Sequence, residues 1–294
     1  MKNRTSEPTN LVISLILLFL LLGCLLAFGQ EADTDKQYST VSFDLRLPVL
    51  PPTFQGHDLA KLYSVLEQRS LSSSKKDEFE TTEEYSERIR AEQTKVIIDS
   101  LFANSVYAFK ARDCKPQYDA DKQTFFAQCK LSPFAQQPSL RSDFPRNIKA
   151  VSWRFESKDL GSYTGTNAFG VSAEVSRSQL ISYNIAIHNW DEFPLEEVID
   201  KDDPLAPFLD KKKAFLLQME LPPAKAKLLK PSISALFVCT LAPPFVSKFE
   251  DYSAATLDNP LSVIYTTYYV HARLVEVWFY NETTGEVLKK IKED

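Results

Sequence analysis

Nineteen consecutive residues, Leu11–Gly29, read LVISLILLFLLLGCLLAFG, with no charge and Ser14 as their one polar side chain. A helix in a soluble core keeps a polar face toward water, and this stretch is apolar all round. About 20 such residues span the hydrocarbon layer of a bilayer. The ten residues ahead of it carry Lys2 and Arg4 against Glu7. A basic start, an apolar run and small residues at its end also describe a secretory signal. The run predicts export of the remainder, whichever of three fates it meets.

Ala27-Phe28-Gly29 before Gln30 fits the small-x-small pattern of signal-peptidase cleavage. An uncleaved anchor comes second, since nineteen residues suffice to cross. Third, Leu21-Leu22-Gly23-Cys24 resembles a bacterial lipobox and would make Cys24 a lipidation site, although Leu25–Phe28 stay apolar where lipoproteins turn polar. Each fate makes the membrane a partner through the N-terminal segment. The rest of the chain would then be periplasmic, membrane-anchored or extracellular.

Beyond residue 29 there remain 32 Lys+Arg against 38 Asp+Glu, a net of −6 without any basic run, so no nucleic-acid partner is expected. Twenty Phe and twelve Tyr with few Gly lean toward strands, where flat rings pack on a pleated surface. An exported chain keeps disulfides. Of Cys114, Cys129 and Cys239, the last sits in the apolar run Ala235–Leu241 and reads as a small buried hydrophobe.

Residues 30–56 read as a tether and a short edge strand, closing on Pro48, Pro51 and Pro52. Leu59, Leu62, Val65 and Leu66 recur at helical spacing and predict a helix over 57–69. Thr81-Thr82-Glu83-Glu84 has the form of a capping box. With Tyr85, Ile89, Val96, Ile97 and Leu101 assigned to one face, a second helix is predicted over 82–102. Val106–Arg112 and Thr124–Leu131 then read as strands flanking the Asp-rich turn Tyr118–Gln123.

If 121 faces 122 in that hairpin, Cys114 lies opposite Cys129, close enough for a disulfide after modest adjustment. Such a clip would stabilise the chain by roughly 3 kcal/mol in the chain-entropy picture. Residues 57–147 thus form a helix-helix-hairpin region. The β-rich stretch 148–294 continues it as one domain, with strands expected over 148–156, 162–166, 169–175, 180–188, 215–221, 233–241, 263–280 and 287–291. The fold class so read is α+β, with N-terminal helices packed beside an antiparallel, aromatic-rich sheet system.

The chemistry is mostly negative. His57, His188 and His271 are far apart, each without a partner at metal-ligand spacing, and no nucleophile elbow or phosphate-cradling loop occurs. No catalytic, cofactor or metal residue is assigned. Acids cluster at Asp77–Glu84 and Asp191–Asp203, where a solvated helix start and loop explain them. Trp190, between Asn189 and Asp191, is the tryptophan expected to be exposed and the candidate for contact with a partner.

The segment Lys76-Asp-Glu-Phe-Glu-Thr-Thr-Glu-Glu-Tyr-Ser-Glu-Arg88 resembles a K-x-E-F-E-T-T-x-E-Y-x-x-R stretch that opens a helix in uncharacterised exported bacterial proteins. The Gly165–Gly170 turn and the closing Trp278–Gly285 hairpin are similar to patterns in the same group. The resemblance implies location and a non-catalytic role, with no active-site residue. Within it, Phe79, Tyr85 and Arg88 are interaction candidates; the plainer reading has them stapling the helix to the sheet. The expectation is an exported, envelope-associated binding or structural module that meets a protein or envelope polymer. The alternative is a carboxylate-dependent hydrolase acting on envelope material.

Overall fold

The computed structural model describes residues 38–51, 54–69, 76–112, 114–133, 148–166, 168–198 and 212–293. The apolar run, Cys24 and the start of the tether lie outside the described residues, as do 134–147 and the acidic stretch over 199–211. No helix among the described residues is long and apolar enough to cross a membrane.

The described fold is mostly β. One sheet of four strands runs β4 (Cys114–Asp119), β5 (Thr124–Lys130), β10 (Lys212–Glu220) and β9 (Glu196–Val198). A larger sheet runs β3 (Tyr107–Lys110), β11 (Ile233–Ser253), β12 (Leu261–Asn281), β8 (Ser172–Ile187), β7 (Lys149–Thr166) and β6 (Ser132–Pro133), with β13 (Val287–Lys292) also on β12. The two sheets close on one core. β5 alternates so that Phe125, Ala127 and Cys129 point inward, and from β10 Phe215 meets Phe237 of β11 edge-on at 5.4 Å. That alternation is the ordinary signature of a strand with one buried face.

The end of β12, Leu274–Tyr280, is buried almost without a break because both of its faces are covered. Val277 and Phe279 face the shared core, while Trp278 and Tyr280 face outward under Phe43 and Leu50. Residues 38–51 and 54–57 thus lie on the outer face as an irregular strap rather than the expected edge strand. Isolated bridges Val49–Glu286 and Gly56–Phe109 hold it. His57 fastens its end: the Ala108 N–H donates to Nδ1 at 2.9 Å and Nε2 donates to the Val41 carbonyl at 2.9 Å.

The α+β expectation fails on three counts. Helix α1 (Leu59–Gln68) packs on the core through Leu59, Leu62, Tyr63 and Leu66, but α2 (Thr82–Gln93) has no described side chain that is buried. Second, Val96, Ile97 and Leu101 do not extend α2. They enter a two-stranded ribbon, β1 (Val96–Ile98) with β2 (Leu101–Phe102), reversed at Asp99 with φ 52°. The β-branched run Val96-Ile97-Ile98 suits a strand better than a helix. Third, the large sheet is mixed: β8 and β12 pair in parallel over twelve positions, Leu261 opposite Ser176 through Ala272 opposite Ile187. One further short helix, α3 (Pro223–Leu229), joins β10 to β11 with proline in its first turn.

The predicted hairpin register holds. Cys114 opposes Cys129, Asp119 opposes Thr124, and the disulfide is formed.

Candidate functional site

Two long hairpins, β7–β8 and β11–β12, run past the sandwich and stand side by side in the order β7-β8-β12-β11. Over Ser157–Thr166, Ser172–Gln179 and Glu250–Val263 nearly every side chain is exposed or half-buried; Val175, Ser262 and Val263 are the buried exceptions. The result is a four-stranded blade wetted on both faces. Both hairpin turns lie at the same end, and apolar side chains crowd there. Phe169 is 90% exposed, with Tyr163, Val171, Tyr252, Leu257 and Leu261 also uncovered.

The outer blade face follows from the pairing. Ser247 opposes Tyr269, Phe249 opposes Thr267, and Tyr265 pairs with Leu180. Phe249 packs on a small cluster of Ile148, Ala150, Ala186 and Tyr269 at the root of the blade. Its polar groups are cross-linked: Ser182 donates to Thr267 Oγ1 at 3.1 Å, and Asn184 to Ser182 Oγ at 3.3 Å.

At this root lies a row that spacing alone could not reveal. Between Leu241–Ala272 and Val246–Val270 the register slips, so that residues 242–245 of β11 bulge opposite His271 alone. This bulge holds the cis Pro243–Pro244 bond and Phe245 at φ 63°. His271 is fully buried; its Nε2 lies 2.8 Å from Ser247 Oγ and its Nδ1 lies 2.8 Å from His188 Nε2. Ser247 and His188 are only half-buried. Burial pushes the His188 imidazole down to about 4, and Arg273 adds to the effect. Burial drives His271 well below the ordinary histidine range, with His188 assisting. Both rings are neutral at neutral pH.

The residues singled out in the sequence fall in two places. Tyr85 and Arg88 meet on α2, and Phe79 lies just ahead of its first turn. Thr81 and Glu84 close the capping box in both directions, at 3.1 and 2.8 Å. Arg88 forks onto Glu80 with two 2.8 Å bonds and lies 5.4 Å from the Tyr85 ring centroid. Phe79 projects, 87% exposed, so it staples nothing to the sheet. Trp190 is elsewhere, half-buried in a 3₁₀ turn (Trp190–Glu192), with the Lys149 ammonium 5.4 Å from its ring centroid.

Four of the described acids in the two clusters of the carboxylate-hydrolase alternative are held by local partners. Glu80 sits on Arg88, Glu84 on the Thr81 backbone, Glu192 on Arg273 at 3.0 Å and Glu197 on Lys213 at 3.2 Å. Cys239 is wholly buried and its thiol is pushed up by desolvation, as befits a small core side chain. No group of three or more metal-ligating side chains gathers among the described residues.

No family model matches the chain, and no curated protein or solved structure matches it either.

Proposed function

We propose that this chain is an exported binding module that takes up an extended segment of a partner protein on its blade. The observation that carries the reading is the blade itself: strands wetted on both faces and ending in uncovered Phe169, Tyr252, Leu257 and Leu261. Contiguous exposed apolar surface on a folded chain marks an interaction site.

The two lateral edges of the blade differ. The β7 edge is guarded by register slips at Ser152/Arg154 and Asp159/Ser162 and by Lys158 and Asp159, features that discourage strand pairing. The β11 edge runs in unbroken register with β12 from Val246 to Ser253; β3 covers its other side only at Leu236–Cys239, and among the described residues no strand pairs with it over 246–253. An added strand there gains backbone hydrogen bonds, while Tyr252 and Tyr265 supply side-chain contact. Export is supported by the Leu11–Gly29 run and by the Cys114–Cys129 disulfide. Attachment to the membrane or envelope belongs to the same proposal.

Photo-crosslinking in the producing cell tests it. A crosslinking residue in place of Tyr252 or Ser253 should give one discrete adduct, and one in place of Lys225 on α3 should not. Leu257→Asp with Phe169→Asp should remove the adduct. Equal adducts from Lys225 and Tyr252, or none from the blade, would sink the proposal.

A further inference from the structure

We infer that Ser247, His271 and His188 form a serine-nucleophile site that acts on an uncharged carboxylic ester whose acyl group is apolar. This stands independently of the partner-binding reading above.

The three side chains sit in the order that acyl transfer requires. A hydroxyl is bonded to one nitrogen of an imidazole, whose other nitrogen is bonded to a third group that sets the tautomer. Here the third group is a second imidazole. For His271 Nε2 to accept the Ser247 proton, its Nδ1 must carry hydrogen and donate it to His188 Nε2. His188 is then protonated on Nδ1. Every hydrogen bond in the row is satisfied in this arrangement without any charge.

The surroundings fit the role. Ser247 lies just beyond the 242–245 bulge, and bulges recur where a strand must re-aim a side chain beside an active site. The base is fully buried, while the hydroxyl that would attack is half-buried on the outer face. Neighbours there are Phe249, Tyr269, Ala186 and Ala150, an apolar bed that suits an acyl chain, and the nearby Arg273 guanidinium is taken up by Glu192. The three polar side chains, from β11, β12 and the residue just past β8, form one connected row, and a satisfied buried network of this kind fixes the rotamers of its members.

The step balances. The Ser247 oxygen bonds to the ester carbonyl carbon as its proton moves to His271 Nε2. The tetrahedral adduct collapses by breaking the bond to the alkoxy oxygen, which leaves with the proton from His271. Water then repeats the sequence on the acyl-serine, releasing the carboxylic acid and restoring Ser247. His188 is a positioning residue that stabilises the transient imidazolium.

The test uses the full purified chain and a fluorophosphonate probe, read by intact mass and peptide mapping. The folded protein should carry a single adduct on Ser247, absent after unfolding in urea and absent in Ser247→Ala. His271→Gln should label about a hundredfold more slowly or worse, with its unfolding midpoint recorded to show that it is folded. His188→Leu should lose labelling comparably, and His188→Gln, whose amide oxygen accepts the same proton, should regain most of it. Absence of the Ser247 adduct in a cooperatively folded protein overturns the proposal. So does equal labelling in His271→Gln or in the urea-unfolded chain.

Discussion

His188, the residue just past the end of β8, and His271 on the parallel strand β12, 83 residues apart in sequence, meet nitrogen to nitrogen at 2.8 Å. Two imidazoles at that distance cannot both be protonated, and the site is dry enough that neither is.

Stability should therefore fall on mild acidification. In the unfolded chain the histidines take up protons around 6.5, whereas folded His188 waits until about 4, and His57 and His271 are likewise lowered. Between those values the unfolded state binds more protons, so the stabilisation is complete above pH 6.5 and drains away toward pH 4. His188 alone accounts for on the order of 3 kcal/mol across that window. Urea unfolding at about pH 7, above the window, and at about pH 4.5, most of the way down it, checks this. The double variant His188→Gln/His271→Gln should flatten the slope, and an unchanged slope would refute the assignment.

The Cys114–Cys129 clip should matter through the edge it secures. β4 is the outer strand of the four-stranded sheet, and its side chains are at best half-buried. Replacing both cysteines by alanine should lower unfolding free energy by about 3 kcal/mol. Proteolysis should then open first in the turn around Asp121. A non-reduced wild-type chain that gains mass on reduction by two protons establishes the bond directly.

Local signals in the sequence were legible where the physics is local. The capping box at Thr81 and Glu84 and the turn that sets Cys114 against Cys129 both follow from residues within a few positions of one another. The α+β reading erred where side-chain spacing served two patterns: Ile89, Val96 and Leu101 can be drawn on a helix, but Val96-Ile97-Ile98 prefers extended backbone. The Ser247–His271–His188 row was hidden because its members come from three distant stretches of chain, and because the 242–245 bulge sets four residues opposite His271. The 242–245 bulge and the extra residue Val275 each shift which positions face outward, so no fixed period links His271 to Ser247 or to Trp278. The blade was legible only in pieces: Ser162–Thr166 and Phe169–Val175 read as short separate strands, because strands that bury neither face carry no hydrophobic alternation to show that they continue as long hairpins.

The α2 region should behave as a separate, marginal unit. Thr81→Ala removes one arm of the capping box, and such caps contribute about 1 kcal/mol. Because no described side chain of α2 is buried, that loss should appear as faster amide exchange over 82–90 with the global unfolding midpoint unmoved. Arg88→Ala should act in the same way by freeing Glu80 from its fork. A matching drop in global stability would show that the helix is coupled to the sandwich after all.

Gly285 is the position at which one methyl group should loosen the strap. Its φ is +74°, a left-handed conformation that suits glycine, and its carbonyl accepts the Leu50 N–H at 2.8 Å. A Cβ built there would come within 1.9 Å of the Leu50 carbonyl oxygen, which is backbone and has no rotamer to change. The strap must then lift, and with it Leu50 and Phe43, whose ring stands edge-on to Trp278 at 5.0 Å. Gly285→Ala should destabilise by on the order of 2 kcal/mol from backbone strain alone. It should also speed tryptic cleavage after the already exposed Arg46, by freeing the strap backbone to enter the protease, while the disulfide hairpin stays protected, and brighten or shift the fluorescence assigned to Trp278. If Arg46 cleavage stays at the wild-type rate while overall stability drops, the strain is absorbed in the Asn281–Gly285 turn and the strap is held by its apolar contacts instead.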